Sequence, residues 1–548
     1  MTDAVSSLPL VAVLLPTVAI PLVYAARARP NVREAVTLLA AAGTLVAVWV
    51  MTQSPATPVA SLGSVAGVSF DLRADAAGLL FALLASTLWL VTSVYSIGYV
   101  RAVEERSQTS YFAAFAASIA ATMGVALAAN LFTLFVFYEL LTLATYPLVV
   151  HAGTAKAREA GRTYVAYTLG GGVLVLGGIV LVGVLAGTVT FTPGGIAGLA
   201  TDDSTLARLA FSLLVVGFSV KTAIMPLHRW LPAAMVAPTP VSGLLHAVAV
   251  VKSGVFALAR TVLYTFGPET TWDLGVGLPL AVAAAVTMVL AGVVGLRQDN
   301  LKRGLAYSTV SQLSYIALGI ALATPLTVFG AFLHVVAHAF MKITLFFAAG
   351  VVYAETGQKY VSDIAGIGRR LPVTMTAFAV AAAGLVGFPL VAGFVSKFQL
   401  VLGAAGGPVP VFVAAYLLAG LLKLLYFWPV VYVAFFGERD ADSPESRHAF
   451  APPHATDGRD VADGRQPTDA PQATDGGQAR GTDGGQARGT DDGHVRRGWE
   501  RRPLGREASP FLLVPVLVTV GFAVVLGLAP TAFPVWELAE AVVEEVFG

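Results

Sequence analysis

Six ionisable side chains, Glu139, Lys221, Lys252, His338, Lys342 and Lys397, stand deep inside otherwise apolar, helix-length stretches. In hydrocarbon such a group costs roughly 2.5–3.5 kcal/mol on insertion scales, so by default it marks an ion or proton path. Glu139 lies in LFTLFVFYELLTLATYPLVV, about eight residues in and so roughly 12 Å deep at 1.5 Å per residue. A buried carboxylate binds a proton or takes a cationic partner. Lys221, in FSVKTAIMPLHRW, is a partner of the right kind. A Glu–Lys pair of variable strength lets protonation elsewhere change the lysine's hold on its proton, as a pump requires. A static buried salt bridge is the plainer alternative.

Further along, His334, His338 and Lys342 fall at i, i+4 and i+8, on a single helical face. Imidazole exchanges protons near neutral pH, which suits a relay. A lone membrane histidine more often bonds a neighbouring helix, but two in line with a lysine favour the relay. His246 and Lys252 lie about 120° apart on an ideal helix and do not share one narrow stripe. The HxxxH spacing also suits a metal, but with no cysteine and no nearby carboxylate none is expected. Ser308, Ser311, Gln312 and Ser314 could hold water between these groups or serve as polar packing. Lys423 is mid-span too, and its context leaves path and packing open.

The elements that must position these groups are membrane helices. Of 548 residues, 56% are hydrophobic and only 12% charged, and the mean hydropathy is +0.75. Soluble domains carry about 25% charged residues. Apolar stretches of roughly 20 residues, each able to cross a bilayer core, recur fourteen times: 8–27, 34–53, 76–99, 111–129, 131–151, 162–187, 206–227, 240–262, 276–297, 303–322, 325–354, 372–401, 410–436 and 509–530. The first lacks the basic lead of a cleavable signal and is long enough to span. Connectors after odd-numbered spans hold most of the base, including Arg27, Arg101, Lys156, Arg229, Lys302 and Arg370. The opposite connectors hold Asp202, Asp203, Glu269 and Asp273. The positive-inside rule then puts both termini outside. Prolines 226, 232, 238 and 240 interrupt the chain after Lys221, and Gly387, Pro389 and Gly393 precede Lys397. Paired interruptions in the two halves of a transporter point to its site. Asn130-Leu131 and Asn300-Leu301 hint at one five-helix unit used twice, inverted because five is odd.

The organisation read this way is helices one to three over 1–110, a first five-helix unit over 111–262, a second over 276–436, an insertion over 437–507 and a last helix over 508–548. Outer connectors 54–75 and 188–205 have the composition of short hairpins. The insertion repeats the octad TDGGQARG at Thr474 and Thr482, and residues 438–507 hold 25 of the 67 charged residues. With no apolar period it buries no core and reads as a disordered cytoplasmic spacer.

Several functions drop out. Cysteine is absent, which removes disulfides, iron–sulfur clusters and thiolate chemistry. There is no GxGxxG after a strand, no Walker A and no GxSxG. The Gly170–Gly172 run reads as close helix packing. A net charge of +1 argues against nucleic acid as a partner. No cofactor is expected.

Six stretches carry a resemblance: VYSIGYVR, FVFYELLTLATYPLV, VKTAIMPLHRWLPAAMVAPTPVSGLLHA, LKRGLAYSTVSQLSYIALG, HVVAHAFMKITLFFAAG and GFPLVAGFVSKF. Over about residues 70–437 the chain resembles the antiporter-like subunits shared by Mrp-type Na+/H+ antiporters and respiratory complex I. The resemblance implies an all-α polytopic fold of fourteen core helices, two inverted five-helix repeats and discontinuous helices seven and twelve. By motif, Glu139 and Lys221 correspond to the family's first pair. His246, Lys252, His334, His338 and Lys342 correspond to its central relay, and Lys397 to its terminal protonation site. Length and the lysine at 397 resemble the D-type member of the Mrp antiporters; the insertion departs from the family. The expected function is proton translocation in a multisubunit cation/proton antiporter of the cell membrane, with Na+ carried by partner subunits. A proton-pumping subunit of a complex I-like oxidoreductase, with no redox centre of its own, is the first alternative. A non-conducting scaffold is the second.

Overall fold

In a computed structural model, residues 3–65, 67–200, 204–438, 499–500 and 502–548 are described, and the chain is overwhelmingly helical. The long apolar runs form continuous helices: α1 (Leu8–Ala25), α2 (Pro30–Thr52), α3 (Ala76–Ala102), α4 (Gln108–Ala126), α5 (Leu131–Val149) and α6 (Ala155–Ala186). There follow α7 (Ser204–Thr222), α8 (Thr239–Phe266), α9 (Gly277–Gly295), α10 (Leu301–Leu322) and α11 (Pro325–Thr356). The twelfth span is broken into α12 (Pro372–Val386) and α13 (Ala392–Ala405). The chain continues with α14 (Phe412–Phe436) and α15 (Pro510–Leu528). Thirteen of these helices are long and apolar enough to cross a membrane, and the broken pair completes the fourteen expected spans. The protein is an all-α polytopic membrane protein. A short amphipathic helix, α16 (Pro534–Phe547), was not anticipated; it packs on α3 and α11.

Helices α8, α10 and α11 form the centre and are buried almost throughout, whereas α1, α2, α6 and α14 turn apolar side chains outward. The two halves are built alike. Asn130 and Asn300 cap α5 and α10 by accepting from Thr133 N (2.8 Å) and Arg303 N (3.0 Å). Each asparagine also bridges antiparallel to a residue past the next long helix, Thr190 and Tyr360. Leu131 N donates to Val189 O and Leu301 N to Lys359 O, both at 3.0 Å. Helices α6 and α11 each have 32 residues, a Thr cap (Thr154, Thr324) and a left-handed glycine at the end (Gly187 φ +68, Gly357 φ +72). The spacing in sequence between the two members is the same for every one of these pairs.

The connector after α2 forms the expected hairpin, β2 (Thr57–Val65) against β3 (Val68–Arg73), with the N-terminal strand β1 (Asp3–Val5) parallel to β2. Residues 188–200 differ from expectation. They make one bridge, to Asn130, and lie along the end of α8 through Thr192 N to Tyr264 O and Ile196 N to Thr265 O. Backbone groups there are satisfied by the core, so no hairpin is needed.

Most of the insertion (439–498) lies outside the described residues. Its return end does not behave as spacer. Trp499 Nε1 donates to Ala365 O (2.8 Å), and Arg502 pairs with Glu355 (2.7 Å). Glu507 accepts from Val373 N (2.9 Å) and Thr374 N (2.6 Å), a carboxylate at the N-terminus of α12 where the helix dipole favours it. The segment thus closes on the base-bearing connector between α11 and α12. Burial and the neighbouring Arg502 lower the Arg370 pKa there.

Candidate functional site

The first broken helix sets Lys221. α7 ends at Thr222, and Ala223 takes φ +62. Val220 O accepts from both Ala223 N (3.1 Å) and Trp230 Nε1 (2.7 Å), so it is satisfied internally at the break. Gly254 of α8 lets the backbone at Lys221–Thr222 approach; a Cβ there would collide with Thr222 N. Lys221 is fully buried, and its ammonium turns to α5, donating to Tyr138 O and lying 3.3 Å from the Tyr138 ring centroid.

Glu139 follows Tyr138 on α5, yet neither carboxylate oxygen has a hydrogen-bond partner, and both are buried. Glu139 and Lys221 therefore stand as neighbours without a closed ion pair. The glycine run explains how the carboxylate is accommodated: a Cβ on Gly172 would lie 2.7 Å from Glu139 Oε1. Gly171 fits against Gly217 O and Val220, so packing and a space for the carboxylate come from adjacent glycines, while Gly170 faces open space.

In the centre, Lys252 Nζ lies 2.9 Å from His338 Nδ1, a direct link between α8 and α11. α8 is not an ideal helix: Ala249 N bonds Leu244 O, closing a π-type turn over Leu244–Val248 that precedes Lys252. Such bulges are frequent at functional sites. His246 sits in that turn with both ring nitrogens unpartnered, its ring 5.0 Å from Phe346 of α11. Lys342 takes a different neighbour, Ser308 Oγ at 2.8 Å and Leu305 O at 3.2 Å.

His334 is held at both nitrogens, Nδ1 to Ser396 Oγ and Nε2 to Gln312 Oε1, each 2.8 Å. Gln312 Nε2 donates to Leu385 O (2.9 Å), which fixes its oxygen as the acceptor. His334 then donates through Nε2–H to Gln312, with Nδ1 facing the Ser396 hydroxyl. Lys397 donates to Leu385 O and to Val386 O (3.1 Å), the last carbonyls of α12, where the helix dipole favours a cation. His334 and His338 rings lie 6.3 Å apart. The result is a buried polar line of Lys252, His338, His334, Gln312, Leu385 O and Lys397. Three of the four ring nitrogens face Ser396, Gln312 and Lys252, while His338 Nε2 is buried without a partner.

The expected residues are thus brought together in part. Lys252, His338, His334 and Lys397 join one line, Lys342 and His246 flank it, and Glu139 and Lys221 form a second, open pair. Of the polar residues on α10, Gln312 and Ser308 enter the network. Ser311 and Ser314 bond the backbone at Met288 O and Val310 O instead. Tyr138 and Ser396 were missed, although each adjoins a predicted residue in sequence. A further buried cluster was also missed. Arg260 of α8, fully buried, makes a bidentate pair with Asp75 (2.6 and 2.8 Å), and Glu545 of α16 meets Tyr264 at 3.1 Å. Burial, with Asp75 nearby, raises the Glu545 pKa.

Residues 128–422 match the family described as NADH:quinone oxidoreductase/Mrp antiporter, TM. The chain is 33% identical to a probable K(+)/H(+) antiporter component, of type A/B, from Rhizobium meliloti, over 70% of its own length and 38% of that protein's. It is 35% identical to the N component of NADH-quinone oxidoreductase from Desulforudis audaxviator, covering 67% of this chain and 73% of the relative. In fold it resembles a chain of the Mrp complex from Dietzia sp. DQ12-45-1b, with a TM-score of 0.78 at 23% identity over 99% of this chain and 97% of that one. With the helix order, the broken twelfth span and this sequence match in agreement, the chain belongs to the NADH:quinone oxidoreductase/Mrp antiporter membrane family.

Proposed function

We propose that this chain is the proton-translocating subunit of a multisubunit Mrp-type cation/proton antiporter. The observation that carries the reading is the buried line from Lys252 to Lys397, in which Lys252 meets His338 at 2.9 Å, His334 meets Gln312 at 2.8 Å, and the two histidine rings lie 6.3 Å apart. Glu139 and Lys221 form the switch that precedes it. An unpaired carboxylate beside an amine held by a carbonyl and a ring has two arrangements to choose between, and closing the pair would alter the charge felt along the line. Protons enter beside this pair, pass the His/Lys axis and leave near Lys397. No step requires a cofactor.

Na+ is the proposed counter-ion, carried by partner subunits. A dedicated sodium cage is expected to add intramembrane carboxylates, and Glu139 is the one acidic residue at mid-span among the described residues. The role within the complex is that of the D-type Mrp member, the location is the plasma membrane, and the base-bearing connectors, with the insertion, face the cytoplasm. A second reading, a proton-pumping subunit of an oxidoreductase, draws on the 35% identity to a quinone oxidoreductase component. The test is Na+-dependent, uncoupler-sensitive proton flux in vesicles holding the whole operon's products, for wild type, Glu139→Ala and Lys221→Ala. Loss in both variants with assembly intact supports the antiporter. Flux that requires an electron donor instead of Na+ moves the chain to the second reading.

A further inference from the structure

Lys423 is an intramembrane lysine that the line above does not use. It is 2% exposed, on α14, and reaches Ala419 O at 3.5 Å, the long limit of a hydrogen bond. No carboxylate pairs with it among the described residues. Its ammonium lies instead 4.1 Å from the centroid of the Tyr315 ring. The same ring lies 4.7 Å from Lys397 Nζ. The ring is held in place: Tyr315 donates to Tyr416 O (2.7 Å), and Tyr416 donates back to Tyr315 O (3.2 Å), bolting α10 to α14.

Two amines on one fixed aromatic ring lie at most about 9 Å apart, and in a protein interior two positive charges at that distance repel strongly. The remaining titratable groups that act on Lys423 offer no relief. From α11 they are Lys342 and His334, from α13 Lys397, and α9 and α12 contribute none. On α10 and α14 they are tyrosines. A cation is stabilised by a ring face, and the two amines have one ring to share.

We propose that Lys397 and Lys423 form a single proton store, holding one proton between two amines with the Tyr315 ring as the shared seat of the charged one. A proton gained at one Nζ is matched by a proton lost to water from the other, so the pair returns to one positive charge after each transfer. This rests on the proton-path reading above and adds Lys423 as a station of it.

The test uses the complete complex in vesicles, with co-purification of partner subunits as the check on assembly, and compares Lys423→Met, Lys423→Arg, Tyr315→Leu, Tyr315→Phe and Lys221→Ala. Lys423→Met removes the competing cation. The expected result is a several-fold drop in flux and a pH midpoint raised by about one unit, from Coulomb repulsion at that separation. Lys423→Arg places a permanent charge on the ring and is expected to be worse than Met, the reverse of what a packing role gives. Tyr315→Leu slows flux with both amines present, and Tyr315→Phe, which keeps the ring, stays near wild type. The store is overturned if Arg restores wild-type flux, if Met leaves the pH profile unmoved, or if Tyr315→Leu transports normally. Should Lys221→Ala also transport normally, the path reading falls and the store with it. Loss in Lys221→Ala beside wild-type behaviour of Lys423→Met removes the store alone.

Discussion

Helices α6 and α11 have the same length, the same threonine cap and the same terminal glycine, yet only α11 carries histidine and lysine along its buried middle. His334, His338 and Lys342 of α11 occupy the places held in α6 by Tyr164, Thr168 and Gly172. In α6, Tyr164 bonds Thr145 (2.6 Å), Thr168 returns to its own helix at Tyr164 O, and Gly172 leaves room for Glu139 from α5. In α11, the place of that glycine is taken by Lys342, which reaches Ser308 of α10. One scaffold therefore places a negative group from the first helix of the pair in one half and a positive group from the second helix in the other. The exposed apolar side chains of α6 (Val173, Val180, Val184) set it at the edge, while α11 is buried along its length. A peripheral helix need only make room for a charge, whereas the central helix supplies the groups of the proposed relay.

This contrast yields predictions of decreasing size. Lys342→Met should reduce proton flux on the order of hundredfold, the scale of a lost acid–base group. Stability should stay within about 1 kcal/mol, because no carboxylate is left stranded. Vesicle flux and a detergent melt measure the two; a large melt shift with flux retained would make Lys342 structural. Gly172→Val should push Glu139 aside, lowering flux about tenfold, and cost about 1–3 kcal/mol through overpacking. Unchanged flux in a folded Gly172→Val variant would break the equivalence drawn here. The caps come last. Thr154→Ala and Thr324→Ala should each cost about 1 kcal/mol and leave flux alone, and a flux loss at Thr324 would mean the ends of α11 move during transport.

Much of the architecture was legible because membrane burial writes itself into length and charge. Fourteen apolar runs gave fourteen spans, and the breakers at Gly387 and Pro389 marked the α12/α13 break. Asn130 and Asn300 had already pointed to the shared unit. What stayed hidden depends on backbone atoms or on residues far apart in the chain. Lys221 and Lys397 end on the carbonyls of Tyr138, Leu385 and Val386, and a carbonyl carries no residue code. The π-type turn at Leu244–Val248 has no periodicity of its own to betray it. The return of Trp499, Arg502 and Glu507 was hidden beside a low-complexity repeat, and α16 was too short to stand out as a span.

The central claim is that one buried line carries protons from the centre to Lys397. Gln312 is its narrowest link, bonded on one side to His334 and on the other to the carbonyl that receives Lys397. The most direct measurement is proton flux through the assembled complex carrying Gln312→Leu, which keeps volume and removes both bonds. Loss on the order of tenfold or more, with assembly and melting near wild type, is the predicted result. Wild-type flux through a folded Gln312→Leu complex would contradict the line.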